Sequence, residues 1–227
     1  MEIKRDLLLK RLIDLRHNGM IKVVTGMRRC GKSYLLFNLF TDALKAKGVD
    51  EENIVQINLE DRRNKSLRDP DKLLAYIDSR LKDNKMYYIL LDEVQLVNEF
   101  EDVLNSYLQV KNADVYVTGS NARFLSKDVI TEFRGRGLEI RVHPLSFSEI
   151  RGARPDEPIE QLWIEYITYG GLPQVITMNS DQEKVDYLKG LFKHTYLKDI
   201  KERYDIKLDG DLEELISTLA STVGGLT

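Results

Sequence analysis

The 227 residues are 42% hydrophobic and 31% charged, a balance that supports a packed core and excludes collagen-like, low-complexity and wholly disordered chains. With 34 basic against 37 acidic side chains the net charge is −3, so the total does not describe a protein that coats polyanions. One cysteine, Cys30, and three scattered histidines, His17, His143 and His194, leave no intrachain disulfide and no Cys-based zinc site, and point to a reducing, cytoplasmic setting.

At ~150 residues per domain the length predicts one domain with a substantial appendage. The chain opens with an amphipathic helix, expected from about Glu2 to Asn18. Its Leu7-Leu8-Leu9 run is broken at once by Lys10 and Arg11 and lacks a small-residue cleavage site, so it is not a signal peptide. The longest apolar run, Met86–Leu91, is far below the ~18 residues of a membrane span, and no membrane partner is expected. Residues 1–33 hold nine Lys/Arg against three acids, which raises nucleic acid as a weaker candidate partner. Three of those cations, Arg28, Arg29 and Lys32, belong to the motif that follows.

The apolar segment Ile21–Thr25 reads as a strand. It runs into Gly26-Met27-Arg28-Arg29-Cys30-Gly31-Lys32-Ser33 and then an amphipathic stretch, Tyr34–Lys47. Strand, Gly-x-x-x-x-Gly-Lys-Ser and helix together are the pattern of a phosphate loop. The glycines let consecutive N–H groups turn around an anion, and the helix adds the positive end of its dipole. Lys32 is placed to reach β- and γ-phosphates, and the Ser33 hydroxyl to ligate Mg²⁺.

Further strands are expected at Ile54–Leu59, Tyr87–Leu91, Val115–Thr118 and Leu138–Val142, with helices at about Asp71–Leu81, Glu99–Leu108 and Ser126–Glu132. Such alternation predicts a parallel sheet buried between helices. The third strand ends in Asp92-Glu93, the form of a Walker B element. Asp92 would share the metal with Ser33, and Glu93 would polarise the attacking water. The strand lying between the two motifs indicates the P-loop branch that uses such a glutamate. Asn64-Lys65-Ser66-Leu67 fails the guanine motif at its last position, so ATP or ADP is favoured by elimination. After Val115–Thr118, Ser120 stands where a γ-phosphate sensor would, although Ser120 and Asn121 also suit a helix cap. Arg136, before the last strand, is a candidate finger for its own or a neighbouring nucleotide, or a solvated arginine.

Arg151–Pro158 interrupts regular structure, and helices are expected beyond it at Ile159–Tyr169, Asp181–Lys193, Thr195–Tyr204 and Asp211–Thr222. Gly170-Gly171-Leu172-Pro173 separates the first two. The last helix carries an apolar stripe, Leu212, Leu215, Ile216, Leu219 and Ala220, with little chain left to cover it. The natural polypeptide is therefore expected to continue.

Taken together, Gly26–Ser33, Leu91–Gln95, Val117–Ser120, Gly135-Arg136, Pro144–Phe147, Tyr169–Pro173 and Tyr196–Ile200 resemble a family of prokaryotic AAA+-like ATPases in which the ATPase domain precedes a C-terminal domain of unknown function. The resemblance implies a P-loop α/β fold with a five-stranded sheet in the order 5-1-4-3-2 and a helical lid. It implies that Gly26, Met27, Arg28, Arg29, Cys30, Gly31, Lys32, Ser33 and Tyr34 hold the nucleotide, and that Pro173 touches its adenine or ribose. The expected divisions are an N-terminal helix at 1–18, an ATPase core at 19–150, a lid at 151–194 and the start of a further domain at 195–227. The expected function is hydrolysis of Mg-ATP coupled to a C-terminal effector region. The alternative is a slow nucleotide-dependent switch that signals through its lid and C-terminal region; under either reading a homo-oligomer or protein partner is a candidate for the same lid and C-terminal region.

Overall fold

The computed structural model describes residues 3–119, 133, 135–193 and 209–222. The expectations for Ser120, Asn121, the helix Ser126–Glu132 and the helix Thr195–Tyr204 lie outside these residues.

Helix α1 (Asp6–Asp14) buries Leu12. It is shorter at both ends than its sequence pattern: Arg5 has non-helical dihedrals, and His17 is left-handed at φ 57°. Strand β1 (Ile21–Thr25) is buried throughout. The helix after the glycine loop, α2, is built from Lys32–Tyr34, a π-helical stretch Leu35–Phe40 and Thr41–Ala46. A widened turn leaves carbonyls poorly matched; here the Thr41 hydroxyl donates to Leu36 O at 3.3 Å and the Gln56 amide to Phe37 O at 3.1 Å.

Strand β2 (Ile54–Asn58), helix α3 (Pro70–Arg80), strand β3 (Tyr87–Asp92), helix α4 (Phe100–Tyr107), and strands β4 (Ala113–Thr118) and β5 (Gly137–Arg141) complete the α/β region. All neighbouring strands are parallel, in the order β2-β3-β4-β1-β5, which is the expected 5-1-4-3-2 arrangement read from the other edge. Because strand side chains alternate between faces, the sheet feeds two cores. Val23, Ile89, Leu91, Val115 and Val117 pack on one side, and Val24, Tyr88, Leu90, Tyr116 and Ile140 on the other.

Beyond β5 the chain forms a helix that the sequence reading passed over. In α5 (Phe147–Ala153) Ser146 and Glu149 make a reciprocal capping box. Helix α6 (Ile159–Tyr169) has its expected limits and is closed by Gly170 at φ 75°. Helix α7 (Pro173–Ile176) starts on a proline that needs no N–H partner. Between them Gly171 is sterically required, since a Cβ there would lie 2.0 Å from Leu145 O. Leu145, Ile150 and Ile176, with Ile3 and Tyr166, form a third apolar cluster. Packing groups the chain as far as Ser180 into one compact unit. The second unit, from Asp181 onward, contains α8 (Asp181–Leu191) and α9 (Asp209–Thr222); in α9, Leu215 and Leu219 are exposed. No described helix is long and apolar enough to cross a membrane.

Candidate phosphate and metal site

The glycine loop leaves the carboxyl end of β1, the edge at which open parallel sheets bind ligands. Its conformation depends on its glycines. Gly26 is at φ 145°, and a Cβ there would lie 2.2 Å from Val142 O; Gly31 is at φ 97°. Arg29 adopts φ 64° without being glycine. Met27 and Arg29 are exposed, whereas Cys30 is buried with its Sγ against Val142 O at 3.4 Å. Burial pushes the Cys30 thiol above its ordinary pKa, with partial opposition from the charges of Lys32 and Arg5. That thiol is a core group, and only the Cys30 backbone belongs to the loop.

Lys32 is buried, and its ammonium donates to Gly26 O and Met27 O, both at 3.0 Å. Next to it, the Ser33 hydroxyl donates to Asp92 Oδ1 at 2.9 Å. The Thr118 hydroxyl donates to the same carboxylate oxygen and accepts the Glu93 N–H at 3.1 Å. Burial raises the pKa of Asp92, and the Thr118 and Ser33 hydrogen bonds only partly oppose it. A hydroxyl beside a buried carboxylate is the type of oxygen donor pair that Mg²⁺ takes, and a cation there would relieve the cost of burying the charge.

Glu93 sits in the left-handed region at φ 55°, so the chain turns sharply as it leaves β3. The Gln95 amide donates to its carboxylate, and the other polar atom of that amide, Gln95 Oε1, is buried without a partner among the described residues. Thr118 and Gln95 were not singled out from sequence. The first follows from register, because Leu91 pairs with Val117 and the next residues, Asp92 and Thr118, are therefore neighbours.

Tyr34 and Pro173 do come together. With Ile3, Arg5, Gly31, Leu145, Gln174 and Thr177 they line a cavity of about 370 Å³ beside the loop, a largely apolar slot of the kind that holds a flat base. Arg136 is elsewhere. It is exposed, and its carbonyl accepts the Ile21 N–H at 2.9 Å, which fixes it at the amino edge of the sheet. The five residues of β1, roughly 17 Å of strand, separate that edge from the loop.

The family comparison agrees with this geometry: the model of an AAA domain matches residues 18–151. The chain belongs to that AAA domain family. A second model, a domain of unknown function (DUF8612), matches residues 160–227. The AAA domain chain is 34% identical to an uncharacterized protein of Haemophilus influenzae, over 99% of this chain and 57% of the relative. It is 29% identical to the uncharacterized protein MJ1544 of Methanocaldococcus jannaschii, over 82% of this chain and 43% of that one. The chain thus spans about half the length of the curated relatives it matches. Among solved structures, a DNA polymerase III gamma subunit-related protein of Thermotoga maritima is similar at 13% identity and TM-score 0.49, over 83% of this chain and 62% of that chain. The Orc1 protein of Aeropyrum pernix in complex with DNA is similar at 14% identity and TM-score 0.45, over 73% and 50%.

Proposed function

We propose that this AAA domain binds Mg-ATP and hydrolyses it to ADP and phosphate. The observation that carries the reading is the meeting of Ser33 and Asp92 at 2.9 Å directly beside the buried Lys32. The loop amides and Lys32 hold the phosphates, and Tyr34 and Pro173 border the base. Ser33 and Asp92 hold the metal, which when bound neutralises charge developing on the phosphates. Glu93 accepts the proton of the attacking water, with its backbone N–H held by the Thr118 hydroxyl. Ser120 stands as the γ-phosphate contact, and Arg136, at the far edge of the sheet, as a finger toward the nucleotide of a second copy. The lid and the C-terminal region carry the nucleotide state to an oligomer or protein partner.

The Gln95 contact favours a second reading, a slow switch, because a base held by a neighbouring amide has to be released or reoriented before it serves water. Two measurements separate the readings: nucleotide binding by wild type and Lys32→Ala, and phosphate release by wild type and Glu93→Gln. Loss of binding in the first variant, with retained binding and lost turnover in the second, supports hydrolysis. Tight binding with background turnover in wild type supports the switch. Unchanged binding in Lys32→Ala removes both.

A further inference from the structure

Arg5 lies outside every sequence motif above, although it borders the cavity beside the loop, and it is a charged side chain only 7% exposed. Its guanidinium is divided among three elements. Nε donates to Glu149 Oε1 at 2.8 Å in α5, Nη2 to the His143 carbonyl at 2.9 Å after β5, and Nη1 to the Cys30 carbonyl at 3.2 Å in the glycine loop. The carboxylate of Glu149 would satisfy the charge by itself. The bond to Cys30 therefore calls for a separate account.

In a trans peptide the carbonyl and the following N–H point in opposite directions. Drawing the Cys30 carbonyl toward Arg5 turns the Gly31 N–H away from Arg5. Left to itself this peptide is easily inverted, because Gly31 at φ 97° has no Cβ to resist rotation. The inverted form would present a carbonyl oxygen, a negative dipole end, where phosphate needs a donor.

We propose that Arg5 is a positioning residue for the nucleotide phosphates: it holds the Cys30–Gly31 peptide so that the Gly31 N–H, and not the Cys30 carbonyl, is offered to the anion. Through Glu149 and His143 the same guanidinium ties that peptide to the segment leading into α5. The inference rests on the reading of the loop as a nucleotide site.

The test compares Arg5→Met and Glu149→Gln in this 227-residue chain, measuring affinity for ADP and for ATP by calorimetry and unfolding temperature without nucleotide. Both variants break the ion pair and lower the unfolding temperature. Only Arg5→Met loses the grip on Cys30, and its affinity falls by about tenfold or more while Glu149→Gln stays within about twofold of wild type. Arg5→Lys serves where Arg5→Met does not fold. Its ammonium keeps the charge pairing with Glu149 but lacks the planar fork that reaches three elements at once, so the Cys30 carbonyl is held less firmly and affinity again falls, with a smaller loss of stability. Wild-type affinity in Arg5→Met or Arg5→Lys overturns the proposal, as does a loss in Glu149→Gln that matches the arginine variants. Failure of the nucleotide reading shows differently, as a folded wild type that binds neither ADP nor ATP.

Discussion

Ser33 and Asp92 are 59 residues apart in the chain and share a hydrogen bond of 2.9 Å. The first lies in the opening turn of the helix behind the glycine loop, and the second ends β3, which β4 separates from β1 in the sheet. Asp92 is only 2% exposed, and burying its charged form costs stability.

Asp92→Asn should therefore stabilise the unliganded protein while abolishing metal-dependent turnover. Burial raises the Asp92 pKa above its ordinary value, so folding favours the protonated form. Its contribution to stability is complete below the ordinary carboxylate range and is lost as pH rises through the raised value. The gap between variant and wild type thus opens as pH increases, to a gain on the order of 1 kcal/mol, or roughly 2–4 °C in unfolding temperature. Thermal unfolding across a pH series without nucleotide checks it; a variant less stable than wild type at neutral pH would contradict it.

Gly26→Ala should eliminate nucleotide binding, because the added Cβ meets the Val142 carbonyl at 2.2 Å, a backbone atom that cannot swing aside. Gly31→Ala has no such collision, its nearest neighbour being Pro173 Cγ at 3.7 Å. It carries only the backbone cost of φ 97°, about 1–2 kcal/mol. Titration of both variants with ADP should rank Gly26→Ala as the more damaged.

Lys22 and Asp114 form a buried ion pair. Asp114 also accepts from the Tyr116 hydroxyl and the His17 N–H, both at 3.1 Å. Lys22→Met strands the carboxylate and should cost about 3–5 kcal/mol. Lys22→Met with Asp114→Asn should recover a large part of that loss. Denaturant melts of the single and double variants measure the difference, and an additive result would refute the coupling.

Cys30 should resist alkylation in the folded protein with or without nucleotide. Its thiol is buried and its pKa is raised by that burial, so both access and thiolate are scarce. Labelling should appear only with unfolding. Rapid modification of the native protein would place the thiol in the loop cavity instead.

The residues proposed for phosphate and metal were legible as candidates because the motifs that suggest them are compressed into contiguous strings, Gly26–Ser33 and Asp92-Glu93. Sheet order was legible through the resemblance those strings carry. Thr118 was not, because its place beside Asp92 depends on the pairing of Leu91 with Val117, and register between separate strands is not written in either one. Arg5 was still further from view, since its carboxylate partner lies 144 residues away. Helix α5 is obscured for a different reason: Ser146-Phe147-Ser148-Glu149 spells a capping box, but Gly152, Pro155 and Pro158 follow so closely that the pattern reads as a boundary. The same distinction holds for α2, whose apolar spacing announces a helix and conceals the π-helical stretch at Leu35–Phe40.

The place of Arg136 has a kinetic corollary. The Arg136 backbone is paired with the Ile21 N–H at the amino edge of the sheet, and roughly 17 Å of strand, more than an arginine side chain spans, separates it from the glycine loop of its own molecule. As the proposed finger it would serve a second copy. Specific activity would then climb with enzyme concentration, and an Arg136→Ala subunit mixed with a Lys32→Ala subunit would differ sharply from either alone: one supplies an intact phosphate loop, the other the missing cation.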